Sequence, residues 1–385
     1  MPDKPRVLCC ITVYNGKGFV ERALESAFRF ERNAAEVDIL VLDDCSPAPG
    51  WSEELGAICS RLEFAYYRSP HNIGIPRNVN LGLRAGVDLG YDYVIISNSD
   101  VIYPSNLVNQ LVNAAVNGGD QIGSITALTN SGGPYSLPNQ DPDRFLTDQD
   151  FVDWISNTLV EIEGENLIQL PTGVSYCMLI PTDVIRQVGL MDPIYGRGYC
   201  EESDWSCRCY GYGKLSYLMT GVYLYHMGRA STIAAGVLKP DVTGTVPENE
   251  AILASRYPDL QKIVTEFRES HIMDETVLRA SRGIVLAAIE QFGYEMESAS
   301  HSADASTVRP LLTIQPDKPN TIQVQFRGFR TTFHAPTDRP VDQVLQDLLS
   351  GLPMSIPICN RRLTAYQLFT LPDASQLYLY PTSLR

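Results

Sequence analysis

Three acidic clusters set behind apolar runs constrain this chain more than anything else in it. They are Asp43-Asp44, Asn98-Ser99-Asp100 and Glu201-Glu202-Ser203-Asp204, with His226 following the third. Val7–Val13 is a continuous apolar run, as expected of a parallel strand covered on both faces, and Val37–Leu42 and Tyr93–Ile96 read as further strands. Between the first two, Phe19, Val20, Ala23, Leu24, Ala27 and Phe28 recur at helical spacing, and Leu55, Ile58, Cys59 and Leu62 do so after the second. Repeated βα units imply an α/β fold on a mostly parallel sheet with helices on both faces. Such a sheet binds ligands outside the carboxyl ends of its strands, where these clusters collect.

The pattern continues with a third strand at Phe64–Tyr67, a helix beginning near Pro76, a helix from Pro104 to Val116 and a strand at Ile122–Leu128. A Gly/Pro/Ser/Asn-rich loop from Thr129 to Pro142 has the composition of a segment that moves over a bound ligand. Val174–Ile180 reads as a strand, and Thr182 is placed to cap a helix over Asp183–Val188 that ends at Gly189. The stretch Asp192–Tyr199 carries turn residues, residues 204–210 look helical, and short strands at Leu215–Leu218 and Val222–Tyr225 lead to His226. These features define a first domain over residues 1–235.

Composition shifts beyond it. Glu248–Glu269 and Glu275–Phe292 read as helices of an extension over 236–297, and Ser298–Thr307 as a polar linker. In residues 308–385, Ile322, Val324 and Phe326 alternate, as do Thr331, Phe333 and Ala335 across a turn at Gly328. Val341, Val344, Leu345 and Leu348 form a helical face, and Leu377–Tyr380 a last strand. The order predicts a small α+β module of β-grasp-like pattern, suited to self-association into a homo-oligomer.

The formal net charge of −15 excludes nucleic acid as a partner, because phosphate backbones are bound by clustered Lys and Arg. Bulk charge does not hold the chain on an anionic membrane either. No apolar stretch reaches spanning length, so no transmembrane segment is expected. The nine cysteines form no paired CxxC pattern, which points to packing, a reducing compartment and a cytoplasmic protein, peripheral at the inner membrane face at most. Hard oxygen donors with one imidazole suit a divalent cation, and such a cation suits a nucleotide-diphosphate ligand.

The motifs, in order, resemble those of GT-A-fold family 2 glycosyltransferases, close to the bacterial rhamnosyltransferase-like members. Ile11-Thr12-Val13-Tyr14-Asn15 resembles the family's first strand and turn, and Leu42-Asp43-Asp44-Cys45-Ser46 its D-D-x-S. His71-Asn72-Ile73-Gly74 with Asn78, Asn80 and Gly82 resembles its N-x-G…N-x-G region, and Ser97-Asn98-Ser99-Asp100-Val101 its DxD motif in N-x-D form. Val188-Gly189-Leu190-Met191-Asp192 resembles the acceptor-side V-G-x-x-D. Glu201-Glu202-Ser203-Asp204 with Arg208 is similar to E-D-x-D…R, and His226-Met227-Gly228 with Ser231 to H-x-G…S. The matches cover about residues 7–232.

The resemblance implies an inverting transfer from a UDP- or dTDP-sugar donor to a hydroxyl on a saccharide, lipid-linked or protein acceptor, in polysaccharide or glycoconjugate synthesis, with Mn2+ or Mg2+ as cofactor. It implies a nucleobase at Asp44, beside Thr12, Tyr14 and Asn15. Asn72, Gly74, Arg77, Asn78, Asn98 and Ser99 would complete donor binding, and Asp100 and His226 would hold the metal. Glu202 stands where the family has a catalytic Asp, with Glu201 and Asp204 as the other candidates for the base; Asp192 and Trp205 would face the acceptor. The residues alone leave alternatives open at each place. Asp43 and Asp44 can close a turn or cap a helix near Trp51, Asn98–Asp100 can be a plain turn, and the Glu201 cluster a solvated helix start. Trp205 can belong to the core, and Arg208 can pair with Glu201 or Asp204. Two other functions fit the fold: a sugar-phosphate nucleotidyltransferase, whose Gly-rich basic signature Gly16-Lys17-Gly18 matches poorly, and a non-catalytic nucleotide-sugar-binding scaffold.

Overall fold

The computed structural model describes residues 4–137, 148–228, 246–292, 295–296, 313–318, 321–326 and 329–334. Strand β1 (Arg6–Val13) lies between β2 (Glu36–Asp43) and β4 (Tyr93–Asn98), all parallel, and β3 (Ala65–Arg68) extends the sheet beyond β2. Alternate residues of β1 explain its uninterrupted apolar run. Val7, Cys9, Ile11 and Val13 enter one core, while Leu8 and Cys10 enter another on the opposite face. Helices α1 (Val20–Phe28), α2 (Trp51–Arg61) and α4 (Leu107–Gly118) cover the first face. Helices α3 (Ile75–Asp88), α6 (Thr182–Val188) and α7 (Glu201–Tyr210) cover the second.

Beyond β4 the sheet is mixed. β8 (Cys177–Pro181) inserts antiparallel between β4 and β6 (Ile122–Thr129), and β6 pairs parallel with β9 (Leu215–His226). β7 (Leu167–Leu170) and β5 (Val101–Ile102) pair antiparallel with β9. The sheet expected to be mostly parallel is therefore parallel from β3 to β4 and mixed after it.

Several local readings are corrected. Residues 149–163, for which the sequence suggests no element, form α5 (Gln149–Glu163), and β7 follows it. Asp148 caps α5 by accepting from the Phe151 amide at 2.9 Å, and Phe151, Val152, Ile155 and Leu159 bury one stripe. Thr182 does not cap α6; its hydroxyl donates to the Tyr91 carbonyl at 2.7 Å and ties the helix to the loop before β4. The strand expected from Val174 begins only at Cys177, because Gly173 donates to Ser206 Oγ and Val174 to Thr126 Oγ1 instead of to a ladder. The two strands expected at 215–225 are one, running through a register shift at Thr220–Val222, where a Cβ on Gly221 would collide with the Gly164 carbonyl.

Downstream, the helix expected over 248–269 is two, α8 (Pro247–Arg256) and α9 (Leu260–Glu269), because Pro258 drives Tyr257 out of helical geometry. Helix α10 (Ile272–Phe292) packs along α5, with Ala280, Ile284, Val285 and Ala288 in the same core as Phe151 and Ile155. The Arg279 guanidinium grips both oxygens of the buried Glu163 carboxylate at 2.7 Å. A second sheet has the order β10 (Glu295–Met296), β11 (Thr313–Lys318), β12 (Thr321–Phe326), β13 (Phe329–His334), and the expected hairpin is its β12–β13 pair. Val324, Phe329 and Phe333 join the α5–α10 core. The linker Ser298–Thr307, the boundary at 235, Ser231, the helix at 341–348 and the strand at 377–380 lie outside the described residues. No described helix is long and apolar enough to cross a membrane.

Candidate active site

The carboxyl ends of β4, β6 and β9 and the start of α7 enclose a cleft of about 380 Å³. Asn98, His226, Glu201 and Glu202 line it together, with Tyr176, Tyr199, Ile75, Val174 and the Ser131–Gly133 turn. Ligand sites span roughly 300–1,000 Å³, so this cleft is of a size to take part of a nucleotide-sized molecule.

His226 closes β9 and is fixed from three sides. Its backbone amide donates to Asn130 Oδ1 at 2.7 Å, and Asn130 Nδ2 returns a bond to its carbonyl at 2.9 Å. Its ring stacks on Tyr176 with centroids 5.4 Å apart. Nδ1 lies 2.7 Å from the Ser131 carbonyl, which can only accept, so Nδ1 carries a proton. Nε2 is then directed at Asp100 Oδ1 and Asn98 Nδ2, each 3.3 Å away. Burial opposes the charged imidazolium, but the Asp100 carboxylate and the Ser131 carbonyl outweigh it and raise the His226 pKa. An imidazole whose far N–H is held by a backbone carbonyl beside a carboxylate is the usual dress of a metal-ligating histidine. Among the described residues no group of three or more His, Cys, Asp and Glu could hold an ion alone. One carboxylate and one imidazole do fit a cation whose remaining ligands come from substrate phosphates.

Helix α7 starts at the cleft with polar residues whose fates differ. Asp204 is fully buried and saturated: Tyr195 Oη, Arg208 Nε, Arg256 Nη1 and Tyr257 Oη donate to it at 3.2, 3.0, 2.8 and 3.2 Å. It is removed from the candidates for the base, since both oxygens anchor the fold. Glu201 and Glu202 each keep a buried Oε2 with no hydrogen-bond partner. Burial, and then the charge of Glu202, push the Glu201 carboxyl well above the usual carboxylate range. Burial raises Glu202 too. A half-buried carboxylate of raised basicity at a cleft wall is equipped to take a proton.

The β2 end is built differently. Asp43 Oδ1 accepts from the amide and hydroxyl of Ser46 at 2.9 and 2.6 Å, and Oδ2 from Tyr66 Oη at 3.0 Å. Asp44 accepts from the Ile73 and Gly74 amides at 2.7 and 2.9 Å; burial still raises its pKa against their pull. Gly74 has φ 82°, and a Cβ there would collide with the Gly196 carbonyl, so this junction admits only glycine. Thr12 registers with both Leu42 and Asn98, which at the usual strand spacing puts Leu42 about 10 Å from Asn98 across β1, with Asp44 two residues farther along.

Of the expected donor residues, Thr12, Tyr14 and Asn15 are half-buried around the β1 end, and Asn72 and Arg77 are exposed. Asn78 is buried, donates to the Leu42 carbonyl at 3.0 Å, and shapes the β2 end from below. Ser99 is buried. Trp205, which the resemblance places toward the acceptor, belongs to the core, the alternative its residue type left open: the indole is fully buried in the α3–α6 core and donates to the Gly189 carbonyl at 3.0 Å. Asp192 is engaged by the Ile194 amide and by Arg256, both within 2.9 Å. Arg208 pairs with Asp204, one of the two partners open to it. Sequence reasoning missed Tyr176, Asn130 and Asn249. Only Asn130 left a signal, as an amide inside the Gly-rich loop.

Residues 9–188 match the family model described as glycosyl transferase family 2. That segment is a little under half of the chain and carries the Asp44 and Asn98–Asp100 ends of the sheet, while Glu202 and His226 lie beyond it. The mixed α/β sheet flanked by helices is GT-A-like. No curated protein sequence matches the chain. Among solved structures, a mannosyltransferase from Pyrobaculum calidifontis in complex with GDP-Man and Mn2+ is 15% identical with a TM-score of 0.44, covering 79% of each chain. GalNAc-T7 with UDP, GalNAc and Mn2+ is 11% identical with a TM-score of 0.48, covering 85% of this chain and 67% of that one. S. aureus TarS 1-349 is 12% identical with a TM-score of 0.43, covering 74% and 82%.

Proposed function

We propose that the protein is a divalent-cation-dependent inverting glycosyltransferase that moves a hexosyl or deoxyhexosyl unit from a UDP- or dTDP-sugar to a hydroxyl acceptor. One observation carries this reading: Glu202, with a buried oxygen lacking a partner, faces the same cleft as Asn98 and the His226–Asp100 pair. The three groups come from separate stretches of chain, and taking a proton beside a departing diphosphate needs them together.

In this reading the donor lies along the carboxyl edge, with its base toward Asp44 and its diphosphate toward Asn98. Asp100 and His226 would hold Mn2+ or Mg2+, which offsets the negative charge gathering on the leaving diphosphate; the imidazole favours Mn2+. Glu202 takes the proton of the acceptor hydroxyl as its oxygen bonds to the anomeric carbon. The bond from that carbon to the diphosphate breaks on the opposite face, and its electron pair leaves with the diphosphate, inverting the centre. Asn98 Nδ2, at the cleft end of β4, would steady the donor's diphosphate.

Release of nucleoside diphosphate from UDP- and dTDP-sugars in the presence of Mn2+ is the expected outcome, abolished by chelation and restored by added metal. Pyrophosphate release would instead indicate a nucleotidyltransferase. Donor binding without turnover would indicate a scaffold.

A further inference from the structure

The turn that delivers Glu201 and Glu202 to the cleft is strained. Gly196, Gly198, Tyr199 and Cys200 have φ of 59°, 126°, 74° and 77°, a region that disfavours the Cβ-bearing Tyr199 and Cys200. Two such residues in succession persist only where surrounding structure holds them, and such strain gathers at functional sites. Tyr199 lines the cleft, and Cys200 is the residue before α7.

The grip comes from α8, in the extension behind the catalytic residues. Asn249 is 7% exposed, and its Nδ2 lies 3.0 Å from the Tyr195 carbonyl, 2.7 Å from that of Gly198 and 2.9 Å from that of Tyr199. An amide nitrogen has two protons, so three carbonyls converge on one donor group and one proton is shared. The far end of α8 seizes the same unit from the other side. Arg256 Nη1 is 2.8 Å from both Asp192 Oδ2 and Asp204 Oδ1, and Tyr257 Oη is 3.2 Å from Asp204 Oδ1. The turn and the first helical turn of α7 are thus clamped at both ends by residues outside the matched family segment.

We propose that Asn249 is a positioning residue for this site: by donating to the carbonyls of Tyr195, Gly198 and Tyr199 it fixes the backbone from which Glu201 and Glu202 project, and it makes α8 a working part of the acceptor side. The inference rests on the reading of Glu202 as the base. Asn249→Asp tests it most sharply, since it keeps the shape while setting carboxylate oxygens against three carbonyls; Asn249→Ala removes the donor without adding charge.

Both variants are compared with the full-length wild type by hydrogen–deuterium exchange and by Mn2+-dependent turnover of the UDP- or dTDP-sugar used fastest. Amides across residues 195–204 are expected to exchange at least tenfold faster, with those of β1 and β4 unchanged. The turnover number is expected to fall tenfold or more while the donor KM moves less than threefold. Unchanged exchange at 195–204 overturns the proposal, as does accelerated exchange with the turnover number retained. So does a loss of turnover matched by faster exchange across β1 and β4, which marks general destabilisation. A wild type that turns over no nucleotide sugar defeats the proposed function and the catalytic half of this inference, whereas the exchange measurement still decides the clamp.

Discussion

The two pairs of adjacent carboxylates, Asp43-Asp44 and Glu201-Glu202, look alike in the sequence and do opposite things in the fold. At the end of β2 every carboxylate oxygen of Asp43 and Asp44 has a donor from the chain itself: Ser46, Tyr66, Ile73 and Gly74. At the start of α7 one oxygen of each glutamate is buried with none. A buried acceptor left without a donor costs about 1–3 kcal/mol, a penalty a chain retains where a ligand supplies the missing partner. In the proposed reading the satisfied pair frames the site, and the unsatisfied pair serves the proton transfer.

The largest expected effect tests the second half of that contrast. Glu202→Gln keeps the volume but cannot take a proton, and general-base contributions run to roughly 10²–10⁴-fold. Turnover is therefore expected to fall about 10³-fold, with donor affinity and thermal midpoint close to wild type. A variant that unfolds instead would place Glu202 among the framing carboxylates.

The reverse holds at the other pair. Asp43→Ala leaves Tyr66 Oη, the Ser46 amide and Arg68 Nε, 3.7 Å from Asp43 Oδ2, without their acceptor inside a buried turn. Loss of a buried, multiply bonded carboxylate lowers stability by about 3 kcal/mol, measurable as a drop in the urea midpoint. Stability within about 0.5 kcal/mol of wild type would erase the distinction between the two pairs.

Why the sequence separates these pairs so poorly is itself physical. The strand–helix order is legible because β1 and β4, at the centre of the parallel half, are apolar on both faces, a one-dimensional signal. The antiparallel insertion of β8 is not, because its apolar run reads the same in either direction. Only long-range pairing with β4 decides it, with Ile180 opposite Val94 and Met178 opposite Ile96. The DxD-like and acidic motifs point to the residues of the cleft, but not to which oxygens are left over. Asp204 and Glu202 are two positions apart on one helix start, and what separates them is Tyr195, Arg256 and Tyr257, folded in from elsewhere. Trp205 misleads for the same reason, since burial depends on how α7 lies on α3 and α6 rather than on its acidic neighbours.

A last test separates Glu201 from its neighbour. Glu201 is 2% exposed, and burial, followed by the Glu202 charge, raises its native pKa well above the value of about 4.3 that a glutamate has in an unfolded chain. The native state therefore holds the proton more tightly than the unfolded one, so stability falls as pH rises from the unfolded value through the raised native value. Glu201→Gln has no such group to ionise and lacks that fall. Its stability relative to wild type is expected to rise as pH climbs from roughly 4 to roughly 7, by about 1.4 kcal/mol for each pH unit that separates the two values within that window. Thermal unfolding at several pH values reads this directly, and a difference that stays constant or shrinks with pH would show that Glu201 ionises as freely in the fold as out of it. Burial and then the Glu202 charge hold the proton on Glu201, so Glu202 ionises first; Glu201→Gln therefore replaces a neutral neighbour, and the acid limb of the turnover profile is expected to stay in place. An acid limb that moves in Glu201→Gln would mean that Glu201 is already ionised where Glu202 titrates, and would reverse the order of the two carboxylates.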